Sequence, residues 1–118
     1  MNIETISEYC LSKKGVIEDF PFDEETLVYK VGGKMFVLIP LEKIPLQINL
    51  KCDPEKAIEL REAYEGITPG WHMSKKHWNT ITLNDSIRWS ELKEWIDHSY
   101  DEVVKGLKKS DRDKLASN

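Results

Sequence analysis

Residues 27–40 read LVYKVGGKMFVLIP, and this stretch decides the fold. Gly32-Gly33 separates two apolar arms, and a glycine pair adopts the positive backbone angles of a tight hairpin turn without steric cost. The pattern predicts antiparallel strands over 27–31 and 35–40. The second arm, Met35-Phe36-Val37-Leu38-Ile39, has no polar member, which predicts a central strand covered on both faces. Upstream, residues 16–23 carry Phe20-Pro21-Phe22 among Glu18, Asp19 and Asp23, and the proline favours an extended edge segment over a helix. Before that, Ile3, Ile6, Tyr9 and Cys10 fall at helical spacing and predict an opening helix over 3–13 that stops at Gly15.

Downstream, Leu46, Ile48, Leu50 and Cys52 alternate with Gln47, Asn49 and Lys51, the pattern of a half-buried strand with one wet face. Asp53-Pro54 reads as an N-cap followed by proline at the first helical position. The helix it opens runs to about residue 65, with Ala57, Leu60, Ala63 and Tyr64 inward, Ile58 flanking, and Gly66 as a left-handed exit. A Pro69-Gly70 turn and a connector lead to a strand over 78–83, with Ile81 and Leu83 on one face and Thr80 and Thr82 on the other. From Ser90, read as a cap, Leu92, Trp95, Ile96, Ser99, Tyr100, Val103 and Leu107 recur at three- and four-residue intervals and predict the longest helix. Residues 108–118 are polar and read as a fraying tail. The sum is a single α+β domain over 1–107, an antiparallel sheet with helices gathered on one face.

Size and charge narrow the function classes. A chain of 118 residues buries one core. Its net charge of −4 argues against general coating of DNA or acidic membranes, although a local basic patch is allowed. No apolar run reaches membrane-spanning length, and the N-terminus lacks a basic region followed by an apolar core, so the sequence predicts a cytoplasmic protein. Cys10 and Cys52 fit no metal-ligand spacing and read as core thiols.

Catalytic signatures are missing: there is no GxSxG, no glycine-rich phosphate loop and no HExxH. The sequence therefore predicts no enzyme, no catalytic residue, no metal and no cofactor. His72 and His77 are five apart with no cysteine or carboxylate close by, and His98 on the last helix reads as surface or boundary. The chemically richest stretch is 67–83, ITPGWHMSKKHWNTITL. Trp71 and Trp78 bring flat apolar surfaces, and Lys75, Lys76 and His77 bring positive charge, a mixture used to stack bases and hold phosphates. The same residues also suit an aromatic lid on a small core with a wet rim, and on chemistry alone that packing role is favoured.

Taken together, several segments resemble the MmcQ/YjbR-like family of small bacterial proteins. They are Tyr9-Cys10-Leu11-Ser12-Lys13 with Gly15, Pro21-Phe22, Val31-Gly32-Gly33-Lys34-Met35-Phe36 and Leu50-Lys51-Cys52-Asp53-Pro54. The match continues through Leu60-Arg61, Pro69-Gly70, Met73, Lys75 or Lys76, His77-Trp78 and Ser99-Tyr100 before Val103-Val104. Lys14 departs from the pattern, where the family often has proline. The resemblance implies a curved antiparallel sheet similar to secretion-chaperone-like domains, and a double-wing mode of DNA contact argued from fold analogy. It supplies no catalytic residues, and it brings the binding role of the 71–78 loop level with the packing one.

Three function classes follow. In the first, Lys75, Lys76 and His77, with Lys51 or Lys34, contact DNA phosphates while Trp78 or Trp71 packs on sugar or base. In the second, the acidic segment Glu18, Asp19, Asp23, Glu24 and Glu25 receives a basic protein partner, as an adaptor or chaperone-like module. The third, ranked last, is a small-molecule binder or enzyme using a pocket between the sheet and the loop, with His77 as its acid or base.

Overall fold

A computed structural model of the chain describes residues 2–70, 73–84 and 86–117. The order of elements is α1 (Ile3–Leu11), β1 (Val16–Asp19), β2 (Thr26–Val31), β3 (Lys34–Pro40), β4 (Gln47–Lys51), α2 (Pro54–Ala63), β5 (Ile67–Pro69), β6 (Trp78–Thr82), α3 (Trp89–Lys105) and α4 (Lys109–Ser117). The strands form one antiparallel sheet in the order β1-β2-β3-β4-β6-β5. Directly opposed residues of an antiparallel pair point to the same face. On one face Leu27, Tyr29, Val37, Ile39, Ile48, Leu50 and Ile81 meet Ile6 and Cys10 of α1 and Leu92, Trp95, Ile96 and Val103 of α3 in a single buried cluster. The expected α+β domain, with helices on one face of an antiparallel sheet, is the fold observed.

The hairpin turns on Gly32 (φ +59°) and Gly33 (φ +78°), left-handed at both positions as a two-residue turn of this kind requires. Gly32 is fixed a second time, because a Cβ there would lie 2.7 Å from Cδ1 of Leu107. Beyond the turn the register slips: Tyr29 faces Val37 while Lys30 faces Met35, so Phe36 is an extra residue in β3. A bulge of this kind puts neighbouring side chains on one side, and Phe36 and Val37 both enter the main cluster.

The β3–β4 ladder pairs Val37 with Leu50 and Leu38 with Asn49. At its end the fully buried Ser99 of α3 takes over. Its hydroxyl donates to the Phe36 carbonyl at 2.6 Å, and its oxygen accepts the Lys51 N–H at 2.8 Å. A helix side chain thus stands in for a rung of the sheet.

Four expectations are revised. Gly66 is not left-handed, since the glycines with positive φ are Gly15, Gly32 and Gly33. Instead α2 ends at Ala63, Tyr64 is extended, and Gly66 allows close approach to β6: a Cβ there would be 3.2 Å from the Thr82 carbonyl oxygen. The residues just before Gly70 form strand β5, too short to show alternation, with Pro69 tolerated because the strand is at the edge. Helix α3 starts at Trp89 with Arg88 as N-cap, so Ser90 lies in the first turn, and the Glu91 carboxylate accepts the Arg88 N–H at 3.0 Å. The polar tail, read as fraying, forms α4, whose Leu115 packs against the main cluster.

The N-cap reading at Asp53 is matched in detail, with its carboxylate accepting the amides of Glu55 and Lys56. The Asp53 N–H itself donates to Nε2 of His98 on α3 at 3.1 Å. That bond needs an unprotonated Nε2, so the 3.9 Å approach of Glu102 to the same nitrogen is not an ion pair. Burial, reinforced by Lys56 and Lys105, lowers the His98 pKa against the opposing pull of Glu102 and Asp53.

Two outcomes are expected. Ser99→Ala leaves a buried carbonyl and a buried amide without partners and costs about 2–4 kcal/mol in urea denaturation; a loss below about 0.5 kcal/mol would refute the bridging role. Because the folded-state pKa of His98 is depressed, its contribution to stability is complete above the unfolded value of 6.5 and declines as pH falls below it. The melting temperature of the wild type should therefore drop below pH 6.5 more steeply than that of His98→Gln.

Candidate functional site

The connector before β6 is held from the inside. The Ser74 carbonyl accepts the N–H groups of His77 (3.1 Å) and Trp78 (2.9 Å), which closes one helical turn. Beneath it, Arg61 of α2 donates from Nε to Oδ1 of Asn79 at 2.6 Å and from its terminal nitrogen to the carbonyls of Trp78 (3.2 Å) and Lys75. The Cys52 N–H donates to the His77 carbonyl at 2.7 Å, and the Gly70 N–H to the Trp78 carbonyl at 2.8 Å. Gly70 is required there, because a Cβ would sit 2.7 Å from that of Trp78. With the carbonyls of Lys75, His77 and Trp78 turned inward, the side chains of Lys75 and Lys76 are left outside, both exposed. Among the described residues neither has an ion-pair partner.

Arg61 was not among the residues singled out for function, although it lies in a segment that carries the family resemblance. The available signal was its place four residues after Ala57, on the buried stripe of α2, where a fixed guanidinium fork can satisfy several carbonyls together.

The sheet register assembles the neighbouring surface. Lys51 faces Trp78, Asn49 faces Thr80 and Gln47 faces Thr82, all on the side away from the helices. Trp78 is 8% exposed and packs with Val28 and Leu38, flanked by Met35 and Met73. Its ring is a floor rather than a free stacking surface. On the same face lies a groove of about 620 Å³ lined by Phe22, Met35, Leu38, Met73, Gln47, Asn49 and Thr80, with Glu42 and Lys43 also bordering it. The Thr80 hydroxyl donates to Oδ1 of Asn49 at 2.5 Å.

Lys51 and Trp78 therefore share the β4–β6 end of the open face, and His77, Lys75 and Lys76 lie in the turn that leads into β6. Lys34 does not join them. It faces Val31, whose side chain is in the helix-side core, and so belongs to the other face at the hairpin tip. Trp71 and His72 lie outside the described residues.

The acidic segment is largely engaged in its own fold. Glu18 accepts from the Tyr29 hydroxyl at 2.9 Å, Asp19 pairs with Lys30 at 3.0 Å, and Asp23 accepts the amides of Glu25 and Thr26. The Lys30 hydrogen bond lowers the Asp19 pKa, and the two amides lower that of Asp23. Glu25 is raised, chiefly by the carboxyl of Glu42 beside it. Burial pushes the Cys10 thiol up to about 12 and Cys52 up to about 11, which keeps both protonated near neutrality. Among the described residues no three His, Cys, Asp or Glu side chains are gathered as a metal site, and no helix is long and apolar enough to cross a membrane.

Comparison with known proteins agrees with this frame. The chain is 38% identical over 113 residues to the uncharacterised protein YbdF of Escherichia coli O157:H7, covering 95% of this chain and 92% of that one. It is 29% identical over 112 residues to the uncharacterised protein YjbR of Escherichia coli strain K12, covering 95% of each. The crystal structure of Deinococcus radiodurans protein DR2400, a DUF419 domain, superposes with a TM-score of 0.92 at 39% identity, over 98% of this chain and 88% of that one. The YjbR family model matches residues 11–102, from the end of α1 into the last turns of α3, and so takes in the locked turn and both faces of the sheet: the chain belongs to the YjbR family.

Proposed function

We propose that this protein is a cytoplasmic binding module without catalytic chemistry of its own, and that it contacts nucleic acid through Lys75 and Lys76, with Lys51 and His77 alongside. The observation that carries the reading is the locked turn beneath the two lysines. A backbone already fixed before binding loses little conformational entropy when its side chains engage a phosphate. The net charge of −4 keeps the footprint small. The two protonated, unpaired thiols suit a reducing compartment and offer no nucleophile.

A second reading has its own observation. The edge strand β1 and the residues after it expose Ile17, Phe20 and Phe22 beside carboxylates, a surface suited to a basic protein partner that adds a strand. A pull-down in which capture is insensitive to reversing Glu24 and Glu25 would remove it.

The nucleic-acid reading is tested by fluorescence anisotropy with labelled oligonucleotides across a salt series. The double variant Lys75→Ala/Lys76→Ala should bind roughly tenfold or more weakly at low salt, with the log–log salt slope smaller by about two. No binding by the wild type at low salt would end the proposal. Arg61→Met should also weaken binding, by about tenfold, with both lysines intact, because the turn must then be ordered on contact. If Arg61→Met stays folded by circular dichroism and binds as the wild type does, preorganisation is not the reason.

A further inference from the structure

The geometry points to a single strand, rather than a duplex, as the nucleic acid this domain takes: one unpaired base enters the groove on the open sheet face while the Lys75–Lys76 turn holds the adjoining phosphates. The inference rests on the reading proposed above and specifies its ligand.

Three features carry it. The first is shape. The groove, about 620 Å³, lies within the size range of small-ligand sites, and its walls are the side chain of Phe22, 63% exposed, and those of Met35 and Met73. A paired and stacked base cannot present its faces to such walls, whereas an unpaired one can, and base stacking on apolar and aromatic side chains is how single strands are held.

The second is polarity. Gln47 and Asn49 occupy alternate positions of β4 on the open face, with Thr80 opposite Asn49. Carboxamides offer donor and acceptor together, the combination that matches the edge of a base. Asn49 is already oriented by the Thr80 hydroxyl, while among the described residues no hydrogen bond engages the Gln47 amide.

The third is charge. Lys51 lies on the same face, opposite Trp78, and Met73, which lines the groove, belongs to the same connector as Lys75 and Lys76. The other margin carries Glu42 and Lys43, with Glu25 beside Glu42. A face that carries Lys51 at its β4–β6 end and charges of both signs at the other margin accommodates a strand crossing the β4–β6 end and inserting one base. It offers no continuous cationic track to a duplex laid along the groove, whose charge is denser and lies on every side.

The experiment uses the full chain with two fluorescein-labelled probes at equal low salt, a dT12 strand and the dA12·dT12 duplex. The variant Phe22→Ala/Gln47→Ala alters two side chains outside the buried cores, and its folding is checked by melting. The expected result is that dT12 binds at least tenfold tighter than the duplex, and that the variant loses about tenfold for dT12 with no change for the duplex. Equal or tighter duplex binding, or a variant that binds dT12 as the wild type does, overturns the single-strand inference and leaves the phosphate-contact reading standing. Absence of binding to either probe overturns both. Occupation of the groove by a Lys-Phe alternating octapeptide, in a variant-sensitive way and with dT12 not bound, overturns the inference in favour of a protein partner.

Discussion

The hydroxyl of Ser99 ties the longest helix of this protein to the middle of its sheet. Ser99 reaches from α3 into the sheet, donating to Phe36 and accepting from Lys51, at the place where the β3 bulge ends the regular β3–β4 ladder. Without that bridge the bulge would leave two buried backbone groups without partners, a loss comparable to a sizeable share of the stability of a domain this small. With it, Phe36 and Val37 can both face the helices, and the edge of Phe36 can meet the ring of Tyr100 at 5.4 Å between centroids. The register of α3 on the sheet is thereby set, and so is the position of His98, one residue before Ser99, which takes the Asp53 amide and steadies the start of α2.

From α2 the constraint passes to the loop. Arg61 sits on the buried stripe of that helix, and its contacts with Asn79 and the carbonyls of Lys75 and Trp78 tie the connector to the scaffold. The open face then divides into two halves. The β2–β3 half is mainly apolar, with Val28, Leu38 and Met35 beside the ion-paired Lys30, while the β4–β6 half carries Gln47, Asn49, Thr80 and Lys51. The groove runs across the division, which is why both stacking walls and hydrogen-bonding groups border it.

What could be read from the sequence was whatever nearest neighbours decide. Gly32-Gly33 specified the hairpin through backbone angles, Asp53-Pro54 specified a helix start through its own carboxylate, and the alternation in 46–52 separated a wet face from a dry one. The features that escaped are set by distant partners. The β3 bulge depends on a serine 63 residues away. Strand β5 exists because β6 lies beside it, and α4 is held through Leu115. In the candidate site, the exposure of Lys75 and Lys76 followed from local polarity, whereas the separation of Lys34 followed from register, and the role of Arg61 from a tertiary contact. A pocket between sheet and loop was expected, but its lining had no signature, since it is drawn from 22–26, β3, β4, Met73 and β6 and only pairing brings these together.

The two borders of the sheet are unlike each other. On one side β5 is three residues long and ends in Pro69, which has no amide hydrogen to offer, so a neighbouring chain finds little there to continue. On the other, β1 carries Glu18 and Asp19, and two copies meeting border to border would bring these anions against their own counterparts. The architecture that leaves a groove open on the face away from the helices thus also discourages joining of copies into an extended sheet.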